Sequence, residues 1–425
     1  MSLLAFASHR AFASPPAPSF LPRRAVAPAR KCIPVPECMP ARPSFATRTA
    51  CAADPPPRTT PPSNPLSNLL MSKSPILPLL VRTARTSYKL FWKVLMSQLA
   101  PSDKHGRYIR PTSTLSAEYD TGPLGKTVAT VSRSFLARYE EPPYAVYVGV
   151  ACQWCHRVLL ARALLALEDK LELRYLTPGA EGLWRLSDPQ QYPATASTLK
   201  EVYLQLDRKY KGRYTAPLLV DVDQYSIVSN ESAHILRFFA NLQPKTIDQH
   251  TVVCLRPREE HGFDVQPDLL EKLCHDLYNN VNDGVYRCGF ATSQLAYEEA
   301  ESNLFATLDY VESLLSKTRF LCSNTVITEA DVRLFPTAFR FDAVYAVLFR
   351  ACRKTIRADY PSISAWIRDI YNLPNVADTC DLEATRNNYY TSLFPLNPSA
   401  IVPVPPQQDL SPAPHRRALS VQSNA

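Results

Sequence analysis

A pair of thiols at a strand-to-helix junction constrains this chain more than any other feature. The run Ala145-Val-Tyr-Val-Gly-Val150 is short, apolar and β-branched, which predicts a strand. A helical period follows from 153 to 169, with Leu159, Leu160, Ala163, Leu164 and Leu167 apolar. Between them stands Cys152-Gln-Trp-Cys155. A thiol at a helix start faces unpaired backbone N–H groups and the positive end of the helix dipole. Both favour thiolate, so Cys152 is expected to be nucleophilic near neutral pH. Cys155 sits one turn on, where a second thiol could attack a mixed disulfide on Cys152. A zinc half-site would need a second ligand pair, and no other C-x-x-C exists in the chain. Inert core cysteines remain the plain alternative, above all for Cys155. No metal is expected.

The elements around this junction define a fold. Leu171–Leu176 reads as a second strand, and a helix is expected near 197–208. Pro217–Val220 and Tyr225–Val228 read as a hairpin around a turn at 221–224, and 231–240 as a helix. The order β-α-β-α-β-β-α is that of a thioredoxin-like α/β domain, placed at 141–245. From 260 to 392 the period is helical throughout, with helices near 267–281, 293–316, 328–340 and 361–372. Thr328-Glu-Ala-Asp331 carries the spacing of a capping box. A thioredoxin-like N-terminal domain followed by an all-α C-terminal domain is the glutathione-transferase architecture.

Composition sets the limits. The chain has 10 glycines in 425 residues, and no G-x-G occurs. Glycine-loop dinucleotide and phosphate-loop enzymes are thereby excluded. Residues 1–110 hold 16 of the 47 Lys and Arg but only three acids, whereas 111–425 are net acidic. No basic nucleic-acid face is expected on the body. Residues 1–70 are basic, hydroxyl-rich and acid-poor, as in an organelle transit peptide, with processing expected near Cys51. A chloroplast address is expected, with mitochondrion or cytosol as alternatives. Residues 71–140 form an extension in which Leu80, Ala84, Tyr88, Phe91, Leu95 and Leu99 recur at helical spacing beside Arg82, Arg85, Lys89 and Lys93. This amphipathic helix is expected to pack on its own domain, with an anionic membrane surface as the alternative. Disorder is expected over 404–425.

From Cys152-Gln-Trp-Cys-His-Arg157 onward the chain resembles the xi class of glutathione transferases, the glutathionyl-hydroquinone reductases, in a plastid-type form. The resemblance runs through Tyr210-Lys-Gly-Arg-Tyr-Thr-Ala-Pro217, Ile227–Ser232, Asn282–Phe290, Thr328–Phe335, Arg340–Tyr345 and Leu396–Pro403. It implies that Cys152 attacks the sulfur of a glutathionyl-hydroquinone, leaving a mixed disulfide that free glutathione resolves. It implies glutathione contacts from Trp184, Arg213, Ala216, a cis Pro217, Glu231 and Ser232. Tyr286, Tyr345 and one of Tyr389 or Tyr390 would line an aromatic pocket and donate a proton. A homodimer is implied as well. The family motif reads C-P-W-A, so Gln153 and Cys155 are departures. The freed N–H of Gln153 is expected to point toward the thiolate, and His156 is expected to be structural. An omega-like thioltransferase or dehydroascorbate reductase shares the cysteine chemistry, and a non-catalytic quinone binder would leave the cysteine idle.

Overall fold

The computed structural model describes residues 76–113, 115, 144–179, 183–188 and 196–422. The transit segment expected over 1–70, and most of the extension after 115, lie outside the described residues.

The sheet of the first half has the order β3-β2-β1-β4-β5. β1 (Tyr144–Gly149) lies at its centre, parallel to β2 (Leu171–Pro178) and antiparallel to β4 (Leu218–Asp221). All six residues of β1 are buried, as a strand covered on both faces requires. β3 (Trp184–Leu186) and β5 (Ser226–Ser229) close the edges. Three helices serve this sheet: α2 (Gln153–Leu164), α3 (Leu199–Leu206) and α4 (Ser232–Phe239), after α1 (Ile76–Leu99) earlier in the chain. The β-α-β-α-β-β-α order expected from the sequence is present, with the short β3 added.

A three-stranded sheet joins the halves. β6 (Lys245–Asp248) and β7 (Thr251–Val253) form a hairpin, and β7 runs parallel to β8 (Val326–Ile327). The helical half contains α5 (Pro267–Asp276), a π-helical turn at Leu277–Asn282, α6 (Gly284–Phe290) and α7 (Gln294–Leu315). It continues with α8 (Glu329–Arg340), a second π-helical turn at Phe341–Tyr345, α9 (Pro361–Tyr371) and α10 (Leu382–Ser392). At the start of α8, Asp331 accepts hydrogen bonds from the Thr328 N–H and hydroxyl, both at 3.0 Å, as the capping-box spacing predicts.

All twelve residues of α8 are buried, because α2, α5, α9 and the first π-helical turn all pack against it. α2 is buried on nearly every side, including Gln153, His156 and Arg157. Polar side chains in such a place need partners from the opposite helix, and this requirement shapes the site below.

Two expectations are corrected. The tail is not irregular throughout: α11 (Pro414–Gln422) packs on α9. Arg416 is buried and donates to the carbonyls of Leu315, Thr318 and Arg319, oxygens that the end of α7 leaves unpaired. A single guanidinium thereby orders a segment whose composition is polar. α1 does not lie along the body either. Trp92, Met96 and Leu99 make contact, with the Trp92 Nε1 donating to the Pro395 carbonyl at 3.0 Å, while Leu79, Leu80, Tyr88, Leu90, Phe91 and Val94 stand exposed.

Candidate active site

Cys152 occupies the N-cap position of α2, at the end of β1. Its Sγ lies 3.9 Å from the carbonyl oxygen of Ala216, the residue before the cis Pro217. The thiol is brought down to about 7. The leading cause is a hydrogen bond from the Cys155 thiol, which outweighs desolvation; the N–H groups of Cys155 and Trp154 and the charge of Arg340 add to it. The free N–H expected of Gln153 is not among these causes. Cys155 is fully buried and its thiol is pushed well up by burial and by Cys152. Its sulfur also accepts the Gly149 N–H at 3.4 Å. The two thiols therefore have unlike roles: one ionises, the other stays protonated and donates.

Beside the Ala216 carbonyl opens a cavity of about 940 Å³. Trp184, Arg213, Ala216, Pro217, Glu231 and Ser232 all line it, although they come from three separate segments. Trp184 reaches the cavity because Gly149 lacks a side chain, since a Cβ there would stand 2.5 Å from the indole. Glu231 caps α4, and Ser232 begins it. The first-turn N–H groups of α4 thus face the cavity, a favourable place for a carboxylate.

Several residues of this region escaped the sequence reading. Arg157 is fully buried beneath the cavity, donating to the Ser232 hydroxyl at 3.2 Å and to the Asn282 side chain at 2.5 Å. Burial, with Arg333 nearby, brings its guanidinium down to about 9, which leaves it cationic at neutral pH. Arg110, from the segment after α1, stacks 4.2 Å above the Trp154 ring and pairs with Asp283 at 3.3 Å. Both arginines were legible only as polar residues. The available signal for Arg157 was its place on a helix whose other faces are also apolar.

On the helical side three phenols meet. The Tyr286 and Tyr389 hydroxyls are 2.6 Å apart, and those of Tyr389 and Tyr345 3.3 Å. Tyr345 donates to the Gln153 Oε1 at 3.1 Å. The same oxygen accepts the Thr337 hydroxyl at 2.6 Å, while the Gln153 Nε2 donates to the Asn282 carbonyl at 2.9 Å. Gln153 thus joins the phenols to α8 through its side chain. Burial pushes Tyr345 up to about 12 and Tyr286 and Tyr389 well above their ordinary value, and the Cys152 charge raises all three. The three hydroxyls keep their protons at neutral pH. Tyr390 does not join them: its hydroxyl donates to the Ala343 carbonyl at 3.2 Å.

His156 is fully buried, with its ring nitrogens on Arg340 and on the Thr379 hydroxyl. Burial and Arg340 push it well down, so it is neutral and engaged away from the thiol. Among the described residues, no three His, Cys, Asp or Glu side chains converge as metal ligands would.

The chain is similar to known proteins along most of its length. Residues 151–242 match the glutathione S-transferase N-terminal domain family, and 294–369 match the glutathione S-transferase C-terminal domain family. Glutathionyl-hydroquinone reductase YqjG of Escherichia coli is 36% identical over 328 residues, 73% of this chain and 92% of that protein. Glutathionyl-hydroquinone reductase PcpF of Sphingobium chlorophenolicum is 36% identical over 310 residues, 72% of this chain and 91% of that protein. The crystal structure of glutathione-S-transferase Xi from Phanerochaete chrysosporium superposes with a TM-score of 0.59 at 32% identity, covering 73% of this chain and 96% of that one.

Proposed function

Because the chain belongs to the xi-class glutathione transferase, or glutathionyl-hydroquinone reductase, family, we propose that it reductively deglutathionylates glutathionyl-hydroquinones through a mixed disulfide on Cys152. It is a glutathione-dependent thiol-transfer enzyme. The observation that carries the finer reading is the pairing of one ionised thiol with a cluster of protonated phenols across a single helix start.

The Cys152 thiolate attacks the sulfur of the glutathionyl group. A sulfur–sulfur bond forms and the sulfur–aryl bond breaks. The bonding pair goes to the ring carbon, which takes a proton from the phenol cluster through Tyr286 or Tyr389. Hydroquinone leaves. A glutathione thiolate then attacks the mixed disulfide, releasing glutathione disulfide and restoring the Cys152 thiolate. The net change oxidises two glutathionyl sulfurs and reduces one aryl carbon.

Trp184, Arg213 and the Ala216–Pro217 segment would hold the glutathione backbone. The start of α4 at Glu231 and Ser232 would take its γ-glutamyl carboxylate, with Arg157 behind it. Cys155 serves as a positioning residue that keeps Cys152 ionised, since a fully buried, protonated thiol is a poor attacking group. Gln153 positions Tyr345. The hydroxyl contacts of Tyr389 with Tyr286 and Tyr345 favour Tyr389 over Tyr390 as the third phenol.

The test is turnover of a synthetic glutathionyl-hydroquinone, with mass spectrometry of the enzyme after substrate alone. A gain of one glutathionyl group supports the scheme. An internal disulfide assigns resolution to Cys155. Turnover of dehydroascorbate but not of the glutathionyl-hydroquinone selects the omega-like alternative. The acid-poor composition of 1–70 supports chloroplast import, which an import assay with isolated organelles tests. A homodimer is our reading of the assembly, to be checked by sedimentation equilibrium.

A further inference from the structure

α1 presents two opposed faces, and among the described residues both stand exposed. Leu80, Ala84, Tyr88 and Phe91 fall within an arc of about 80° at helical periodicity. Leu80, Tyr88 and Phe91 are 59%, 58% and 57% exposed. Arg82, Arg85, Lys89 and Lys93 occupy a second arc, centred about 140° away, and all four are exposed. No acid interrupts the helix from Ile76 to Leu99. Exposed apolar area of this extent marks an interaction surface.

From this geometry we infer that α1 is a peripheral anchor that binds an anionic lipid surface. A protein partner that covers the apolar face leaves the four cations on the far side without counter-charges. A lipid interface takes both faces at once. The apolar side chains enter the boundary between headgroups and acyl chains, and the long Arg and Lys stems carry their charges to the phosphate level. The helix lies in the surface and does not cross it; no helix among the described residues is long and apolar enough to span a membrane.

The anchor is coupled to the catalytic body. Met96 and Ala100 are buried, and Trp92 is bonded to the Pro395 carbonyl. Arg110 to Ser113, which line the cavity, follow after ten residues. A bound α1 therefore fixes the body at the interface instead of tethering it loosely. This inference stands independently of the reaction assigned to Cys152.

The test is co-sedimentation of the full chain with vesicles of phosphatidylcholine alone and with vesicles containing roughly one-third phosphatidylglycerol, a model for anionic surface charge. Binding is expected to the anionic vesicles and to weaken as salt rises. Each cation removed should lower affinity about fivefold, so Arg82→Gln with Lys89→Gln loses well over tenfold. Leu80→Gln with Phe91→Gln should abolish binding while leaving turnover of soluble substrate unchanged, because both side chains are more than half exposed and neither packs on the core of the described residues. Equal binding to neutral vesicles overturns the inference. So does full binding by both variants, which would place the lipid contact in the basic arm before α1. A dimer that the apolar variant dissolves, with no vesicle binding, assigns the face to a second copy and overturns it as well.

Discussion

The two sides of the proposed active site are built by opposite means. The wall from the thioredoxin-like half relies on backbone: the start of α2 at Cys152, the carbonyl before Pro217 and the start of α4 at Ser232. The helical side relies on the hydroxyl groups of Tyr286, Tyr345 and Tyr389, which together span 103 residues of chain. Backbone sites survive many side-chain changes, because strand ends and helix starts place them. A hydroxyl chain fails when one oxygen is lost. The binding wall should therefore tolerate substitution, and the proton-donating wall should not, with Cys152 the exception on its side.

The largest effect is expected at that exception. Cys152→Ser should lower turnover by about a thousandfold or more, since a serine hydroxyl is far from ionised at neutral pH; retained turnover would remove the thiol from the mechanism. Next come the phenols. Tyr286→Phe and Tyr389→Phe should each reduce kcat by about a hundredfold, the usual scale for loss of a general acid, with KM for glutathione little changed. A rise in KM alone would show that the helical wall binds and does not donate.

Gln153→Pro restores the family residue and tests the seam between the walls. It leaves Thr337 and the Tyr345 hydroxyl without their shared acceptor, a cost of about 1–3 kcal/mol in stability for buried donors. Thermal unfolding measures it, and a smaller kcat should accompany it. Unchanged unfolding and kcat would make Gln153 a passive replacement.

The smallest and most specific change is expected from Cys155→Ala. The wild-type rate should rise with pH through about 7, because the thiolate form of Cys152 is the attacking species. Below that point it should fall about tenfold per pH unit. Without the Cys155 hydrogen bond the inflection should move up, so activity drops several-fold at pH 7 and recovers at pH 9. An unshifted inflection with lost turnover at low glutathione would instead make Cys155 a resolving thiol.

The same division explains what could be read in advance. Cys152 was legible because a strand end running into a helix start announces itself in local sequence, whereas Pro217 and Glu231–Ser232 read locally as a strand start and a helix cap and gained a role only through the family resemblance. Tyr389 and Tyr390 are neighbours that differ by one helical step, and only packing decides which hydroxyl meets Tyr345. Gln153, His156 and Arg157 sit on a helix that is buried nearly all round. The sequence marks His156 as structural, but the partners of the three, among them Thr337, Arg340 and Ser232, lie on other helices and leave no local signal. β3, β7 and β8 are two or three residues long and are held by pairing, so they leave no periodic signal. Arg416 orders α11 through three carbonyls at and just beyond the end of α7, a contact across about one hundred residues that composition cannot announce.

Gly149 touches both halves of the chemistry. Its bare Cα lets the Trp184 indole lie against the strand, and its N–H points at the Cys155 sulfur. The Gly149 amide is thereby a native spectroscopic reporter. Ring-current changes on ligand entry and a change in thiol ionisation would each move the same nitrogen–proton resonance. One isotope-labelled glycine could follow occupancy and redox state together, with no probe added to the protein.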